Sequence, residues 1–492
     1  MTLDMSTDYS AEQASFGLPK SMRRKKRLRP KTSMLDEDEL VDWLVKETCV
    51  PGAHPSAVEK RTKLMRAHAG TLLGHICRTN ADISPAVMSK LPKIFSSEAF
   101  MSKFMPLTTT VKECKFSGDK TTIKFVIELQ DGKKVESTVM LHGSRATLCV
   151  SSQVGCMMGC TFCAIGTMGF RGNLTSGEIL EQVIHANRAL SMLPVKKSAC
   201  KASKMPLYGP MITIEEGDDV EIDSRERRIR NIVFMGMGEP MNNFDQVIKT
   251  IRFMTNPGRL GLGMSKISLS TVGVLPYMKR LTNEAPEVRL ALSLHAPNQV
   301  LRKKIVPSAG SYPIEKLLLA VDEHAARGKA QVMLEYVLLM NINDEPEHAH
   351  EIGVLLKPRK DHVMLNVIPW NPTYNPRLTK QFRAPGMDRA IVFQQIVLKE
   401  YGVSCTIREN LGQDIDAACG QMAINQDIED IRVGEKSCKK GRSKEPSKSP
   451  PKGKKKKEGC GSAHNGIGVH AASALVFALL VAIAAMIQSM LM

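Results

Sequence analysis

Hydrophobic residues change their period twice along this chain. From Leu35 to about Lys103 they recur at helical spacing: in LDEDELVDWLVKE, Leu40, Val41, Leu44 and Val45 share one face, and Asp36 and Glu37 stand where a helix begins. In TTIKFVIELQDGKKVESTVML apolar and polar residues alternate around Asp131-Gly132, which predicts a hairpin. From Arg145 onward short apolar, β-branched runs (ATLCVSS, RNIVFMG, KISLSTVG, VRLALSLHA, VMLEYVLLM and HVMLNVIPW) alternate with amphipathic stretches such as SGEILEQVIHANRAL and FDQVIKTIRFMT. Repeated strand–helix alternation predicts an α/β domain with a parallel sheet, open or curled into a partial barrel, whose site forms in loops at the carboxyl ends of the strands.

Both ends and one internal stretch break these patterns. Residues 1–33 are polar and end in the basic cluster Arg23-Arg24-Lys25-Lys26-Arg27, which reads as a solvated tail, with an RNA contact or nuclear address as the sharper alternatives. The polar stretch from Lys196 to Arg230 reads as a surface insertion between the first helix and the second strand of the alternating part. After Asp427 the chain turns to Lys, Ser, Pro and Gly, a flexible basic linker. From Ala471 to Met492 it carries no charge, and only Ser473, Gln488 and Ser489 are polar. That length can span a bilayer, so a C-terminal anchor with a basic cytosolic flank is expected. A glycolipid-anchor signal beginning at the small residues Gly459 to Ala463, or a marginal surface helix, are the alternatives. The expected division is a basic tail (1–33), an N-terminal accessory domain (34–130), a core (131–426), a basic linker (427–469) and an anchor segment (470–492).

The formal net charge of +18, from 68 Lys and Arg against 50 Asp and Glu over 492 residues, favours a polyanionic partner such as RNA, DNA or an anionic membrane surface. Basic tails around a near-neutral core would give the same sum. Only 5% of the chain is aromatic, so arrays of stacking side chains are not indicated. Twelve cysteines are too few for a disulfide scaffold in a chain this long, and the N-terminus has no apolar signal core because Asp4, Asp8 and Glu12 interrupt it. A reducing cytoplasmic or organellar setting follows, in which clustered cysteines mean metal or catalysis.

Such a cluster stands directly after the run ending at Ser152: Cys156-Met-Met-Gly-Cys160-Thr-Phe-Cys163, followed by Gly166, Gly169 and Gly172. Three thiolates at this spacing can face one metal centre. A 4Fe–4S cluster normally takes one ligand per iron, so three leave one iron open to the amino and carboxylate groups of S-adenosylmethionine (SAM). A zinc site with a His or another Cys as fourth ligand is the alternative, although zinc ligands usually arrive as separated pairs and no second CxxC exists here.

The spacing CxxxCxxC is the signature of the radical SAM superfamily, and RATLCVSSQVGCMMGCTFCAIGTMGF resembles the RlmN/Cfr family of RNA adenosine methyltransferases, closer to RlmN. The resemblance runs from Glu136 to Gln421 and includes GMGEPMNN, SLSTVGVLP, LALSLHAPN, VIPWNP and DIDAACGQ. It implies a partial (β/α) barrel with an N-terminal helical accessory domain and a small β hairpin element, a 4Fe–4S cluster on Cys156, Cys160 and Cys163, and SAM. It also implies an electron donor of the flavodoxin or ferredoxin type, and as substrate an adenosine of large-subunit ribosomal RNA or the adenosine 3′ of the tRNA anticodon. Carbon 2 of adenine is not nucleophilic, so the family parks the methyl on a protein thiol. The matching positions are Cys419 as methyl carrier, Cys149 as the thiol that resolves the crosslink through a transient disulfide, and Glu136 as the base that removes the ring proton. Gly238 and Glu239 match the loop that meets the SAM amino group, where glycine allows close approach and a carboxylate pairs with an ammonium. Ser270, Ser293, Leu294, His295 and Asn371 match further SAM contacts. Taken singly, Cys149 reads as a buried strand cysteine, Glu136 as a solvent-facing residue and His295 as structural. Two competing functions remain: methylation at carbon 8 with the same cysteine apparatus, and a non-enzymatic cluster or zinc protein that binds RNA through its basic tails.

Overall fold

The computed structural model describes residues 27–143, 145–193, 228–373, 375–409 and 411–421. Most of the N-terminal tail, nearly all of the polar insertion, the basic linker and the apolar C-terminal segment with its expected anchor lie outside the described residues. Among the described residues no helix is long and apolar enough to cross a membrane.

Ten strands form one sheet: β1 (Thr110–Phe116), β2 (Thr122–Glu128), β3 (Lys134–His142), β4 (Arg145–Cys149), β5 (Ile229–Phe234), β6 (Ile267–Thr271), β7 (Arg289–Ser293), β8 (Val332–Leu338), β9 (Val363–Pro369) and β10 (Ser404–Ile407). Each strand pairs with its neighbour in sequence. The pairs from β4 to β10 are parallel, and those from β1 to β4 are antiparallel. β4 to β9 are the six runs marked by periodicity. Residues from β3 and from β10, near opposite ends of the sheet, line one internal chamber, so the sheet curls into a partial barrel. The gap is bridged by residues 411–421: Gly118 N–H donates to Asp414 Oδ2 (2.6 Å) and Lys124 Nζ to the Asp416 carbonyl (3.2 Å).

The hairpin turns at Gly132, whose φ of 74° suits glycine. The expected division between 130 and 131 falls inside this hairpin, whose strands pair in register from Thr122↔Met140 to Glu128↔Lys134. β2 is buried almost continuously rather than on alternate residues, because the 411–421 segment covers part of it.

The N-terminal helices α1 (Glu37–Thr48) and α2 (Pro55–Thr79) bury Leu40, Val41 and Leu44 as their spacing predicts, while Val45 is only half-buried. Trp43, Phe100 and Phe104 pack ring against ring beside them, with centroids 5.2–5.8 Å apart. Asp36 makes no side-chain cap on α1. Its Oδ1 instead accepts from Ser176 Oγ (2.7 Å) and Gly177 N–H (2.6 Å), capping α3 (Ser176–Met192) from a distance. Thr175 and Glu178 complete that N-terminus as a capping box. Arg27, read from sequence as part of a solvated tail, is instead a buried bridge: its guanidinium donates to both oxygens of Glu178 (2.8 and 2.9 Å) and to Asp131 (2.9 Å). Two carboxylates on one planar fork offset the cost of desolvating it.

Candidate active site

Beyond β4, a two-stranded ribbon of Gln153–Gly155 with Phe170–Asn173 pinches the cysteine segment into a loop. Cys156 N–H donates to the Gly169 carbonyl (3.1 Å) and Cys163 N–H to the Cys160 carbonyl (3.2 Å). The turn demands glycine at 166, where a Cβ would lie 2.7 Å from the Cys160 carbonyl oxygen. Cys156, Cys160 and Cys163 line one cleft of about 910 Å³, counting its open mouth. The same cleft holds Gly238, Glu239, Ser270, Ser293, His295, Asn371 and Cys419, contributed by the carboxyl ends of β5, β6, β7 and β9 and by the closing segment. Of the expected contacts, Leu294 alone does not reach it: the side chain is fully buried, and its backbone N–H donates to the Glu335 carbonyl (3.0 Å).

Burial pushes the Cys156 thiol up to about 12 and the Cys160 and Cys163 thiols upward as well. A metal centre is what makes thiolates stable in such a place. Arg302 supports one. Fully buried, it donates to the carbonyls of Leu294 (3.0 Å), Val272 (2.6 Å) and Ser293 (3.1 Å), yet its Nη1 has no partner among the described residues. Cys160 is the charge partner that holds the Arg302 guanidinium against desolvation. An unsatisfied buried donor beside a thiol fits an anionic group, and an iron–sulfur cluster on three thiolates carries net negative charge. Among the described residues no three His, Cys, Asp or Glu surround a position for a single metal ion. The three thiols do share one larger cleft, in which a cluster would take one thiolate per iron.

Gly238 has φ 107°, and a Cβ there would meet the Gln153 side chain at 2.6 Å. The Glu239 carboxylate accepts from Met241 N–H (3.0 Å) and Val272 N–H (2.9 Å), joining its loop to the end of β6. Burial raises it to about 7 despite those bonds. The Thr271 side chain donates to it as well, which leaves one of the carboxylate's roughly four lone-pair positions for a ligand. His295 sits at φ 62°, its Nδ1 accepts from Val337 N–H (3.2 Å), and burial followed by the nearby Arg302 lowers it to about 3, so the ring is neutral. Asn371 Nδ2 donates to the Cys419 carbonyl (3.0 Å) while its Oδ1 accepts from Gln413 Nε2 (2.7 Å), so it holds the segment that carries Cys419.

Cys419 also lines a second chamber, inside the barrel, together with Cys149. Both are free thiols, and the expected disulfide is not formed in this structure. Burial, and then proximity to Cys419, pushes Cys149 up to about 12. Glu136 lines neither chamber. It lies on the same face of β3 as Thr138, which does, and pairs with Lys124 Nζ at 3.1 Å. Burial raises Glu136 to about 7, against the pull of Lys124. Lys124, Arg302, Glu335 and Arg408 were missed in the sequence. For Glu335 the available signal was a lone carboxylate in the apolar run VMLEYVLLM.

Residues 150–352 match the radical SAM superfamily. The chain is 40% identical over 391 residues to the probable dual-specificity RNA methyltransferase RlmN 2 of Protochlamydia amoebophila (strain UWE25), covering 80% of this chain and 94% of that relative. It is 37% identical over 313 residues to the ribosomal RNA large subunit methyltransferase N of Nitrosopumilus maritimus (strain SCM1), covering 62% and 78%. Among solved structures it resembles a radical SAM methyltransferase from Sphaerobacter thermophilus, with 31% identity and a TM-score of 0.63 over 80% of this chain and 99% of that one.

Proposed function

Because the chain belongs to the RlmN family of radical SAM RNA methyltransferases, we propose that it methylates carbon 2 of an adenosine in ribosomal or transfer RNA through a methyl group carried on Cys419. The observation that carries this reading is the position of Cys419, which lines both the cysteine-loop cleft and the chamber holding Cys149. A sulfur at that junction can take a methyl group on one side and hand a carbon to a base on the other.

A 4Fe–4S cluster on Cys156, Cys160 and Cys163 with SAM at its open iron would supply the electron and the 5′-deoxyadenosyl radical. The protein's part is position. Gly238 lets the backbone approach SAM, and Glu239 offers a carboxylate to its amino group. Ser270, Ser293, His295 and Asn371 wall the remainder of the SAM site; Leu294 lies behind it, its backbone bonded to Glu335 and Arg302. Cys419 holds the methyl carbon against the base; the Cys149 thiolate then attacks the Cys419 sulfur, the S–S bond forming as the bond from sulfur to the methylene carbon breaks, and that carbon takes the electron pair and a proton to become the product methyl, leaving a disulfide that a two-electron reductant reopens. Glu136 is assigned the ring proton by resemblance, and to take it the base must reach past the chamber wall at Thr138 on the same face of β3; a carboxyl raised to about 7 is matched to work as a base near neutral pH. A flavodoxin- or ferredoxin-type protein is the expected electron donor.

The test is anaerobic reconstitution with iron and sulfide, followed by incubation with reductant, SAM and RNA. The expected products are 5′-deoxyadenosine and 2-methyladenosine, identified by mass spectrometry of the digested RNA. Recovery of 8-methyladenosine would move the chemistry to the other ring carbon, and absence of 5′-deoxyadenosine would remove the radical step.

A further inference from the structure

Two charged side chains at the boundary of the chambers have no role in the scheme above. Glu335, in the middle of β8, and Arg408, just after β10, both line the cysteine-loop cleft and the inner chamber, as Cys419 and Met235 do. Glu335 is 3% exposed. Its Oε2 accepts from Asn366 Nδ2 (3.0 Å), and Asn366 Oδ1 in turn accepts from Thr406 Oγ1 (3.0 Å), so the carboxyl is held in one orientation. Its Oε1 is buried with no partner among the described residues. The Arg408 guanidinium meets one acceptor among them, the weakly accepting Met235 Sδ at 3.9 Å. Cys419 is the strongest charge partner of Arg408, with Glu335 and Cys149 behind it.

The Glu335 carboxyl is left with a buried acceptor unsatisfied, which is costly in a low-dielectric site, and the half-buried Arg408 guanidinium beside it keeps donors open to the cavity. A ligand offering a donor beside an acceptor relieves both. Resting on the reading of Cys419 as methyl carrier, we propose that Glu335 and Arg408 bind the Watson–Crick edge of the target adenine: Glu335 Oε1 accepts from the N6 amine, Arg408 donates to N1, and carbon 2 faces Cys419. Arg408 senses both Cys419 and Glu335, so a base whose N1 meets Arg408 can turn its N6 amine to Glu335 and carbon 2 to Cys419. Guanine and hypoxanthine reverse both partners, with a carbonyl at position 6 and a hydrogen on N1, so the same pair excludes them.

The test uses the reconstituted holoenzyme and an anticodon stem-loop RNA whose target nucleotide is adenosine, purine riboside (no amine), 1-deazaadenosine (no N1) or 7-deazaadenosine (Watson–Crick edge intact), with affinity read by competition fluorescence anisotropy. Wild type should bind the purine riboside and 1-deaza RNAs about tenfold or more weakly than adenosine, the order expected when a buried group loses its partner, and bind 7-deaza RNA like adenosine. In the isosteric E335Q variant, Asn366 keeps the amide oxygen and the NH₂ turns to the base, so the preference for adenosine over purine riboside should vanish. In R408M the preference over 1-deazaadenosine should vanish instead. Iron content and absorbance of the cluster verify that each variant is intact, and SAM affinity is measured on the same samples. An unaltered adenosine preference in E335Q overturns the proposal, as does dependence on N7, or a loss of SAM affinity with base preference preserved. Wild-type enzyme that forms no methyladenosine while discriminating the four RNAs as described would sink the methyl-carrier reading and leave the base contacts standing.

Discussion

Replacing Lys124 by methionine removes the ammonium that faces Glu136 and should move the acid limb of methylation to higher pH. Lys124 Nζ lies 3.1 Å from Glu136 Oε1, and the two side chains are 9% and 2% exposed. At an effective dielectric constant near 20 their attraction is about 5 kcal/mol before relaxation. An opposite charge at this range typically lowers a carboxyl by about one to three pH units once the surroundings respond. Glu136 stands at about 7 because burial raises it and Lys124 holds it back. The sign is therefore upward on removing Lys124: less of the carboxylate form is present at neutral pH, and the rate there falls about tenfold for each pH unit moved. Folding should survive, since the isolated carboxyl can take a proton instead of remaining a buried charge. The assay is single-turnover methylation of RNA by anaerobic enzyme from pH 6 to pH 9.5, with Glu136→Gln as the form that has no base to titrate. Wild type should gain activity through about pH 7, and the Lys124→Met enzyme should recover only in alkali. An unmoved limb with a uniformly lower rate would refute the reasoning and leave Lys124 acting through the Asp416 carbonyl, 3.2 Å away.

Cys419→Ala has no sulfur to carry the methyl group and should leave RNA unmodified in a tritium-transfer assay; full activity would remove the relay. Cys149→Ala should stop after carbon–carbon bond formation, giving a protein–RNA adduct that survives a denaturing gel, and clean turnover would show that Cys149 is not the resolving thiol. Arg302→Met loses the cation beside Cys160 and should reduce iron and acid-labile sulfide per chain after reconstitution, while undiminished iron would assign Arg302 a purely structural role. Asp36→Ala removes the remote cap of α3 and should cost about 1–2 kcal/mol in urea unfolding monitored by circular dichroism, the range for lost caps; an unchanged midpoint would show that Ser176 and Gly177 find other partners.

The parallel strands β4 to β9 were legible because each is a compact β-branched run bounded by polar or glycine-containing turns, and the crossover helices carry the 3.6-residue period. β10 was not, because Ser404–Ile407 is four residues long and makes no pattern by itself. The cysteine loop was legible for the opposite reason: its three ligands are contiguous, so spacing alone encodes the geometry. Glu335, Arg408 and Lys124 lie outside that loop in sequence, and it is the fold that brings Glu335 and Arg408 to the cavities lined by Cys419 and Lys124 to Glu136. Their type says nothing until burial is known, since a Lys or Glu on a strand usually faces water. Arg27 misled the reading for the same reason. A basic cluster is ordinarily solvated, and what buries its last member is a pair of carboxylates at 131 and 178 whose joint position the chain does not announce. Asp36 looked like a cap on its own helix, but the backbone of a different helix claims it.

The tethers on the 411–421 segment bear on how Cys419 would work as the proposed methyl carrier. On one side Ala164 N–H, next to Cys163, donates to the Gly420 carbonyl (3.0 Å), and Gln421 Nε2 donates to the Pro372 carbonyl (2.6 Å). On the other, Asp414 and Asp416 are bound to β2 and the turn before it. Asn371 fixes the carbonyl of Cys419 between them. A residue tied at both ends and in the middle has little freedom to swing from one chamber to the other. Cys419 already lines both chambers, so on the proposed reading the reacting groups would come to it. On the proposed reading the target adenine would have to leave its stack and enter the barrel, at a cost of a few kcal/mol in lost stacking. That cost would be met inside the barrel, where the proposed contacts of Glu335 and Arg408 with the edge of the base supply a physical means of meeting it, selectively for adenine.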